Sequence, residues 1–429
     1  MNVKSKLNKL PPDFKKFLRE ASKLADSLGV SIYLVGGVVR DLIIGRKTID
    51  LDIVIEGDAI SFSQKLASTL NVRHKKYQSF GTASIYLKRQ KIDFATARTE
   101  KYLNGGELPK VKPADLKQDL IRRDFTINTL AVSLNKSDYG IVIDVCKGLS
   151  DLKNKVLRII HGKSFFDDPT RILRCVRFEK RFNFSIEYNT MKCLQEAIAC
   201  SALESVSPQR LIKELLLILE EENPCVYIKR LFYLRVFPFI SKDIDLDRKA
   251  FNFFQSLENS VQHYQRKFPD RKVDKLSTLY LAGILSNVSL EKTIDIFNKW
   301  SLLKNEKKII ISLKKNIIEI SQLNKYSSFW DVYKLLNKYK PETLIFFYAW
   351  SSSKAFRRNI DYFWDRLGGV RLKINGNDLQ RIGIKPKTLY SQIFDKLICA
   401  KIDKGLVSKK QEIGEALSIF KQISSNNQI

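Results

Sequence analysis

Histidine is scarce in this chain. Its three copies, His74, His161 and His263, stand far apart among 429 residues, which argues against a histidine-rich zinc site or a histidine–aspartate phosphohydrolase centre. The six cysteines (Cys146, Cys175, Cys193, Cys200, Cys225 and Cys399) form no Cys-x-x-Cys pair and mostly sit in apolar helical patterns. They are expected to be reduced, buried thiols of a cytoplasmic protein. No uninterrupted apolar run approaches the roughly 20 residues that span a bilayer, and the basic amino terminus lacks the apolar centre of a signal peptide. A cytosolic location without a membrane partner is expected. Carboxylates are also in short supply: 46 Asp and Glu face 75 Lys and Arg, a formal net charge of +29. So large an excess is costly in self-repulsion, and a polyanionic partner, nucleic acid above all, is its natural explanation.

What is present starts with size and one stretch. At 429 residues and 44% hydrophobic, the chain is globular and long enough for about three domains. An apolar strand (Ile32 to Val35) runs into Gly36-Gly37 and a short helix containing Arg40-Asp41. A second strand follows, Ile49-Asp50-Leu51-Asp52-Ile53-Val54-Ile55. Side chains alternate along a strand, so Asp50 and Asp52 point to the same side. Two carboxylates held that close repel unless a cation joins them, which is the geometry of a divalent metal site for phosphoryl chemistry. Alone, Asp-x-Asp also fits a solvated strand edge. The glycines upstream favour the metal reading, because they let backbone N–H groups approach a phosphate. No Gly-Lys-Ser/Thr follows, so this is not a P-loop.

Apolar spacing predicts a helix over Pro12–Leu28 and another, capped by Asp58, through Leu70. Strands are expected at Thr82–Leu87 and Ile92–Ala97 around a Lys-Arg-Gln-Lys turn. The second carries Asp93, either turned to solvent or completing the metal site; its expected place beside the Asp-x-Asp strand favours the site. Residues 98–113, rich in Gly, Pro and polar groups, read as a long loop beside it. Arg122-Arg123-Asp124-Phe125-Thr126-Ile127-Asn128 suits ribose and phosphate recognition, although Asp124 could also serve as an N-cap. Ile141–Asp144 is expected to close the sheet, and beyond Gly148 the pattern is helical. Asp168, Arg171 and Arg174 recur at three-residue spacing on one predicted helix face, with more cation than one carboxylate neutralises. Trp300, Trp330, Trp350 and Trp364 read as packing residues. A capped helix after Asn375 opens a basic last segment, whose Lys385, Lys387, Lys396, Lys401 and Lys404 could grip a phosphate backbone or simply be solvated.

Three motifs in this order resemble the class II tRNA nucleotidyltransferases and their bacterial poly(A) polymerase relatives: Gly36-Gly37-Val38-Val39-Arg40-Asp41 with Asp50-x-Asp52, Arg122 to Asn128, and Asp167-Asp168-Pro169-Thr170-Arg171-Ile172-Leu173-Arg174 with Arg177-Phe178. Together they cover roughly the first half of the chain. Ile374 to Leu379 with Gly383-Ile384-Lys385-Pro386 looks like the family's tail. The resemblance implies an α+β protein: a nucleotidyltransferase head (1–145), then an all-helical neck (146–206), body (207–370) and tail (371–429). It implies two Mg²⁺ ions on Asp50 and Asp52, with Asp93 as third carboxylate, ATP and CTP as substrates, and the tRNA 3′ end as partner. The nucleotide-binding set would be Gly36, Gly37, Arg40, Arg122, Arg123, Asp124, Asn128, Asp168, Arg171, Arg174 and Arg177, with Asp168 and Arg171 reading the base. Two departures stand out. Thr129-Leu130-Ala131 replaces the family's usual Ala-Met-Ala, and Ala97-Arg98-Thr99-Glu100 with Leu108-Pro109-Lys110-Val111 looks closer to enzymes that add only the terminal A. CCA addition is the first expectation, A-only addition or poly(A) tailing the alternatives, and a non-catalytic RNA-binding protein the competitor from another class.

Overall fold

The structure is a computed structural model. It describes every residue except 47–49, 79–80, 89, 102–104, 108, 322–327, 386 and 427–429, with the backbone alone at 318–319, 321, 387 and 426. Ile49, Arg89, Leu108 and Pro386, which belong to segments singled out above, therefore lie outside the described residues. The chain divides into two compact units, residues 1–242 with 299–301, and 243–298 with 302–429.

The first unit is built on a mixed seven-stranded sheet. Its strands are β1 (Ser31–Val35), β2 (Leu51–Glu56), β3 (Arg73–Tyr77), β4 (Thr82–Leu87), β5 (Gln90–Thr96), β8 (Leu130–Ser133) and β9 (Val142–Asp144), while β6 (Arg98–Lys101) and β7 (Lys110–Pro113) form a separate pair. The spatial order is β3-β4-β5-β2-β1-β8-β9. β2 runs parallel to β5 and antiparallel to β1. The helix Pro12–Leu28 matches its predicted bounds; Phe14, Phe17, Leu18 and Ala21 are fully buried, and Phe17 packs on Phe94 of β5 at 6.2 Å between ring centroids. Asp58 caps the helix Ala59–Leu70 by accepting from the Ile60 and Ser61 N–H groups. Val142–Asp144 does form one edge of the sheet.

Three expectations are corrected here. The segment 98–113 is not simply a loop: β6 and β7 pair antiparallel from Arg98↔Pro113 to Lys101↔Lys110. Four-residue strands made mostly of charged residues show no apolar alternation, so periodicity cannot reveal them. Past Gly148 the chain is not purely helical, because Val156–Leu157 pairs with Ser185–Ile186. Only Cys175 among the six cysteines is buried, and Cys200 is exposed. None of the six is disulfide-bonded.

Helices Thr170–Phe182, Tyr188–Ala199 and Pro208–Leu219 complete most of the first unit. Among the described residues, the regular elements of the second unit are all helices. Its last segment begins with a capping box: Asn375 accepts from the N–H groups of Asn377 and Asp378, and Asp378 accepts from the Asn375 N–H. Glu412, fully buried, accepts from the backbone N–H groups of Lys373 and Ile374 and from Lys401. Lys401 therefore holds the fold of this segment, and Lys404 pairs with Glu415, which removes both from the free cations that the sequence offers an RNA. Trp300 and Trp364 are core residues as expected, but Trp350 is 45% exposed.

Candidate active site

The strand register brings two of the predicted carboxylates together. Parallel pairing of β2 with β5 sets Asp52 directly opposite Asp93. Alternation turns both from their buried neighbours, Leu51 and Ile53 on one strand, Ile92 and Phe94 on the other. Asp50 immediately precedes β2. The Asp52 side chain reaches the solvent of a cleft, yet its carboxyl is pushed above the usual carboxylate range. Burial by surrounding protein is the largest cause; Asp93 and Asp50 add to it, and Arg123 opposes it. Asp93 accepts from Ser84 Oγ at 2.6 Å and from Lys91 Nζ at 2.8 Å. Among the described residues no group of three or more His, Cys, Asp or Glu stands ready as a metal cage. The donor set nonetheless fits Mg²⁺, which characteristically takes one or two carboxylates and completes its shell with water and substrate phosphates. A carboxylate whose ionised form is disfavoured, as that of Asp52 is, gains from a divalent cation beside it.

Above the strands lies a clamp on the two predicted phosphate-binding arginines. Asp119, fully buried on the helix Leu116–Ile121, accepts from Arg122 Nε at 3.0 Å, Arg122 Nη2 at 2.6 Å and Arg123 Nη2 at 2.9 Å. Glu100 of β6 takes Arg122 Nη1 at 2.6 Å. Burial alone would raise the Asp119 carboxyl, but Arg123 and Arg122 outweigh it and hold it low. Gly36 makes room for this arrangement. Its φ is +72°, and a Cβ there would stand 2.7 Å from Arg123 Nη1, so any side chain would be strained and would collide.

Further along, the predicted residues join in a buried polar chain. Arg40 donates to Asp41 and, at 2.6 Å, to Asn128 Oδ1; its guanidinium lies 4.4 Å from the Phe182 ring centre. Asn128 Nδ2 donates to Asp124 Oδ1 at 2.8 Å, and Arg174 reaches Asp124 Oδ2 with Nε at 2.9 Å and Nη2 at 2.6 Å. Arg174 and Arg177 both face Glu214, at 3.5 and 3.8 Å. Burial opposes ionisation of Asp124, but Arg174 and the Asn128 hydrogen bond prevail and take its carboxyl down to about 2. Burial pushes Arg40 and Arg177 downward, whereas Asp124 and Glu214 overcome burial and raise Arg174. Asp124 is not the N-cap of the turn that follows it, a place taken by Phe125.

Asp168 and Arg171 are close in the chain, but their side chains do not pair. Asp168 precedes the helix Thr170–Phe182 and accepts from Thr170 Oγ1 at 2.7 Å and Arg210 Nη2 at 2.8 Å. Arg171, 4% exposed, donates to Ser164 Oγ at 2.6 Å and to the Arg122 carbonyl at 3.0 Å. All the predicted nucleotide-binding residues, with Asp52, line one cleft of about 970 Å³. Its basic side chains outnumber its carboxylates, and Arg123 Nε and Arg177 Nε are buried without a partner. Glu214 Oε2 is buried without a hydrogen-bond partner as well, so it is the excess of cation across the cleft, rather than any one orphaned atom, that suits an anion. Asp50 and Asp93 stand outside that lining; Asp93 lines a smaller adjoining cavity of about 310 Å³ that shares Asp52, Arg122 and Arg123. Sequence reasoning missed Glu100, Asp119, Arg210 and Glu214. Asp119 had a signal in its i, i+3 and i, i+4 spacing from Arg122 and Arg123. Arg210 also donates to the Gly106 carbonyl at 2.6 Å, a contact between distant segments that no local pattern announces.

Residues 32–158 match the family model of the poly A polymerase head domain. Over 96% of its length the chain is 31% identical to an A-adding tRNA nucleotidyltransferase of Geobacter sulfurreducens, though it spans about half of that relative, 47%. An A-adding tRNA nucleotidyltransferase of Halalkalibacterium halodurans is 30% identical, covering 94% of this chain and 92% of its own. The solved Thermotoga maritima CCA-adding enzyme complexed with tRNA is similar in fold, with a TM-score of 0.76 and 32% identity over 97% of this chain and 98% of that one. Matched nearly end to end by such relatives and carrying the head domain, the chain belongs to the class II tRNA nucleotidyltransferase family.

Proposed function

We propose that the protein is a template-independent nucleotidyltransferase that builds CCA on the 3′ end of tRNA from CTP and ATP in the cytoplasm. The observation that carries this is the facing pair Asp52 and Asp93 beside an arginine-lined cleft whose basic side chains outnumber its carboxylates. Asp50 and Asp52 would hold two Mg²⁺ ions, which when bound would neutralise charge on the reacting phosphate and on the oxygens entering and leaving it. Arg122 and Arg123 bind the triphosphate, and the Gly36-Gly37 turn leaves room beside them. The RNA 3′-hydroxyl attacks the α-phosphate and pyrophosphate leaves. The divisions 1–145, 146–206, 207–370 and 371–429 act as catalytic head, base-selecting neck, and RNA-binding body and tail.

Asp168 and Arg171 select the base. Cytosine and adenine each present an amine donor beside a ring-nitrogen acceptor, which suits an acceptor-only carboxylate and a donor-only guanidinium. Guanine and uracil reverse the pattern and would leave buried groups unpaired, at a cost of about 1–3 kcal/mol each. An Arg171→Ala protein should therefore lose discrimination against UTP and GTP more than it loses overall rate. Unchanged incorporation ratios among the four nucleotides would overturn this assignment and leave Arg171 as a tie between Ser164 and Arg122.

A second reading, addition of the terminal A alone, is favoured by the two A-adding relatives and by the character of the 98–113 segment. Purified protein with Mg²⁺, CTP and ATP should extend a tRNA ending at its discriminator base by C, C and A. Extension only of a tRNA already ending in CC establishes the A-adding reading. Extension of neither overturns both.

A further inference from the structure

The second unit holds an open-mouthed cavity of about 700 Å³ between its own helices, sharing no residue with the cleft of the first unit. We propose that this cavity is a second nucleotide site, taking a base together with its phosphate. One wall is aromatic. Phe253 and Phe346 pack with ring centroids 5.0 Å apart, and Phe253 sits against Gly283, where a Cβ would come within 2.5 Å of the ring. The helices Arg248–Lys267 and Leu276–Ile284 thus approach this closely over a glycine. Trp350, which ends the helix Pro341–Trp350, also lines the cavity while remaining half exposed. A large indole left open at the mouth of a cavity is a stacking platform for a flat ring.

The charged side chains of the lining are all cationic, set among neutral Asn and Ser side chains. Lys249, Lys314 and Arg357 come from three helices, and no carboxylate lines the cavity among the described residues. Lys314 donates to the carbonyls of Leu285 and Val288, leaving a third N–H. Burial lowers its ammonium to about 8. Arg357 donates to the Tyr348 carbonyl at 3.1 Å and to Ser256 Oγ at 3.4 Å, neutral partners both. Lys314, partly desolvated and held only by carbonyls, favours an anion, and the exposed Lys249 and part-exposed Arg357 add positive charge at the same cavity. A bare phosphate would leave the aromatic wall unused, and a neutral ring would leave the cations uncompensated. A nucleotide meets both demands, whether free or unstacked from a bound RNA. The inference does not depend on the reaction assigned to the first unit.

The test is photolabelling of the intact protein with 8-azido-AMP, followed by proteolysis and peptide mapping. Label is expected on peptides containing Trp350 or Phe253, as well as in the first unit. Trp350→Ala, a change at an exposed position, should weaken labelling of the Phe253 peptide at least about tenfold. The double variant Lys314→Met with Arg357→Gln should do the same, with first-unit labelling unchanged. Protection by excess AMP identifies a free nucleotide, and protection by an oligoadenylate alone identifies an RNA-borne one. Label confined to the first unit, undiminished label in Trp350→Ala, or equal protection by inorganic phosphate overturns the proposal.

Discussion

An Asp52→Asn protein is expected to melt at the parent temperature, or slightly above it, while incorporating nucleotide at least about 10³-fold more slowly, a loss of roughly 4 kcal/mol of transition-state stabilisation. The two outcomes have separate causes. In the fold the Asp52 carboxyl is raised by burial, with Asp93 and Asp50 adding to it. A raised carboxyl means that folding disfavours the ionised form, so above its unfolded-state range the group subtracts from stability. Removing the charge cannot then weaken the fold through that group. It would remove a metal ligand, along with the charge that any cation between Asp50 and Asp93 would need. Thermal melting and a single-turnover incorporation assay on the same preparation test both halves. A stable protein with parental activity would transfer the catalytic assignment elsewhere, whereas a parent that binds tRNA but incorporates no nucleotide would support the non-catalytic RNA-binding alternative.

Asp124→Ala should do the reverse and strike the fold first. The Asp124 carboxylate accepts four hydrogen bonds, from the Phe125 N–H, Asn128 and two nitrogens of Arg174. Removing one member of a buried ion pair costs about 3–5 kcal/mol, because the partner charge stays behind. For a unit of this size that lowers Tm by roughly 10 °C. Replacing both partners, Asp124→Ala with Arg174→Met, should recover part of the loss, since no orphaned guanidinium then remains. The same pair sets an acid limit. The folded carboxyl titrates at about 2 against an ordinary 3.8, so its contribution, about 2 kcal/mol, is fully present above pH 3.8 and disappears as the pH falls through 2. Urea denaturation between pH 5 and 2 should show a steeper loss in the parent than in Asp124→Ala. Parallel curves would rule the pair out as the source.

The parts that were legible in the sequence share a physical reason. Helix Pro12–Leu28 buries one stripe, whereas β1, β2 and β4 bury consecutive residues and so read as short apolar runs; both patterns are visible locally. The Asp-x-Asp strand and the Asp93 strand were recognisable because charges interrupt runs that are otherwise apolar. That β5 lies beside β2 was expected, and the register bears it out; strand direction and the rest of the sheet order were not legible, because nothing local says that β2 runs antiparallel to β1 and parallel to β5. The clamp was hidden for another reason. Arg122 and Arg123 read as ligands for phosphate, and the residue that holds both of them, Asp119, sits in an unremarked turn of helix. Arg174 misled in the same way, reading as surplus charge when Asp124 and Glu214 neutralise it from other segments.

The parallel ladder of β2 and β5 also decides which length changes in the gene this protein can survive. Asp52 and Asp93 are aligned by hydrogen bonds between two strands, not by the forty residues of chain that join them. Insertions between Tyr77 and Thr82, or between Leu70 and β3, leave that alignment untouched. Deleting one residue within β2 or β5 would turn every side chain beyond the deletion to the opposite face of the sheet. A carboxylate would then enter the core beside Phe94 and an apolar group would occupy the cleft. Such variation should therefore accumulate in the connections and be purged from the six positions of β2 and the seven of β5.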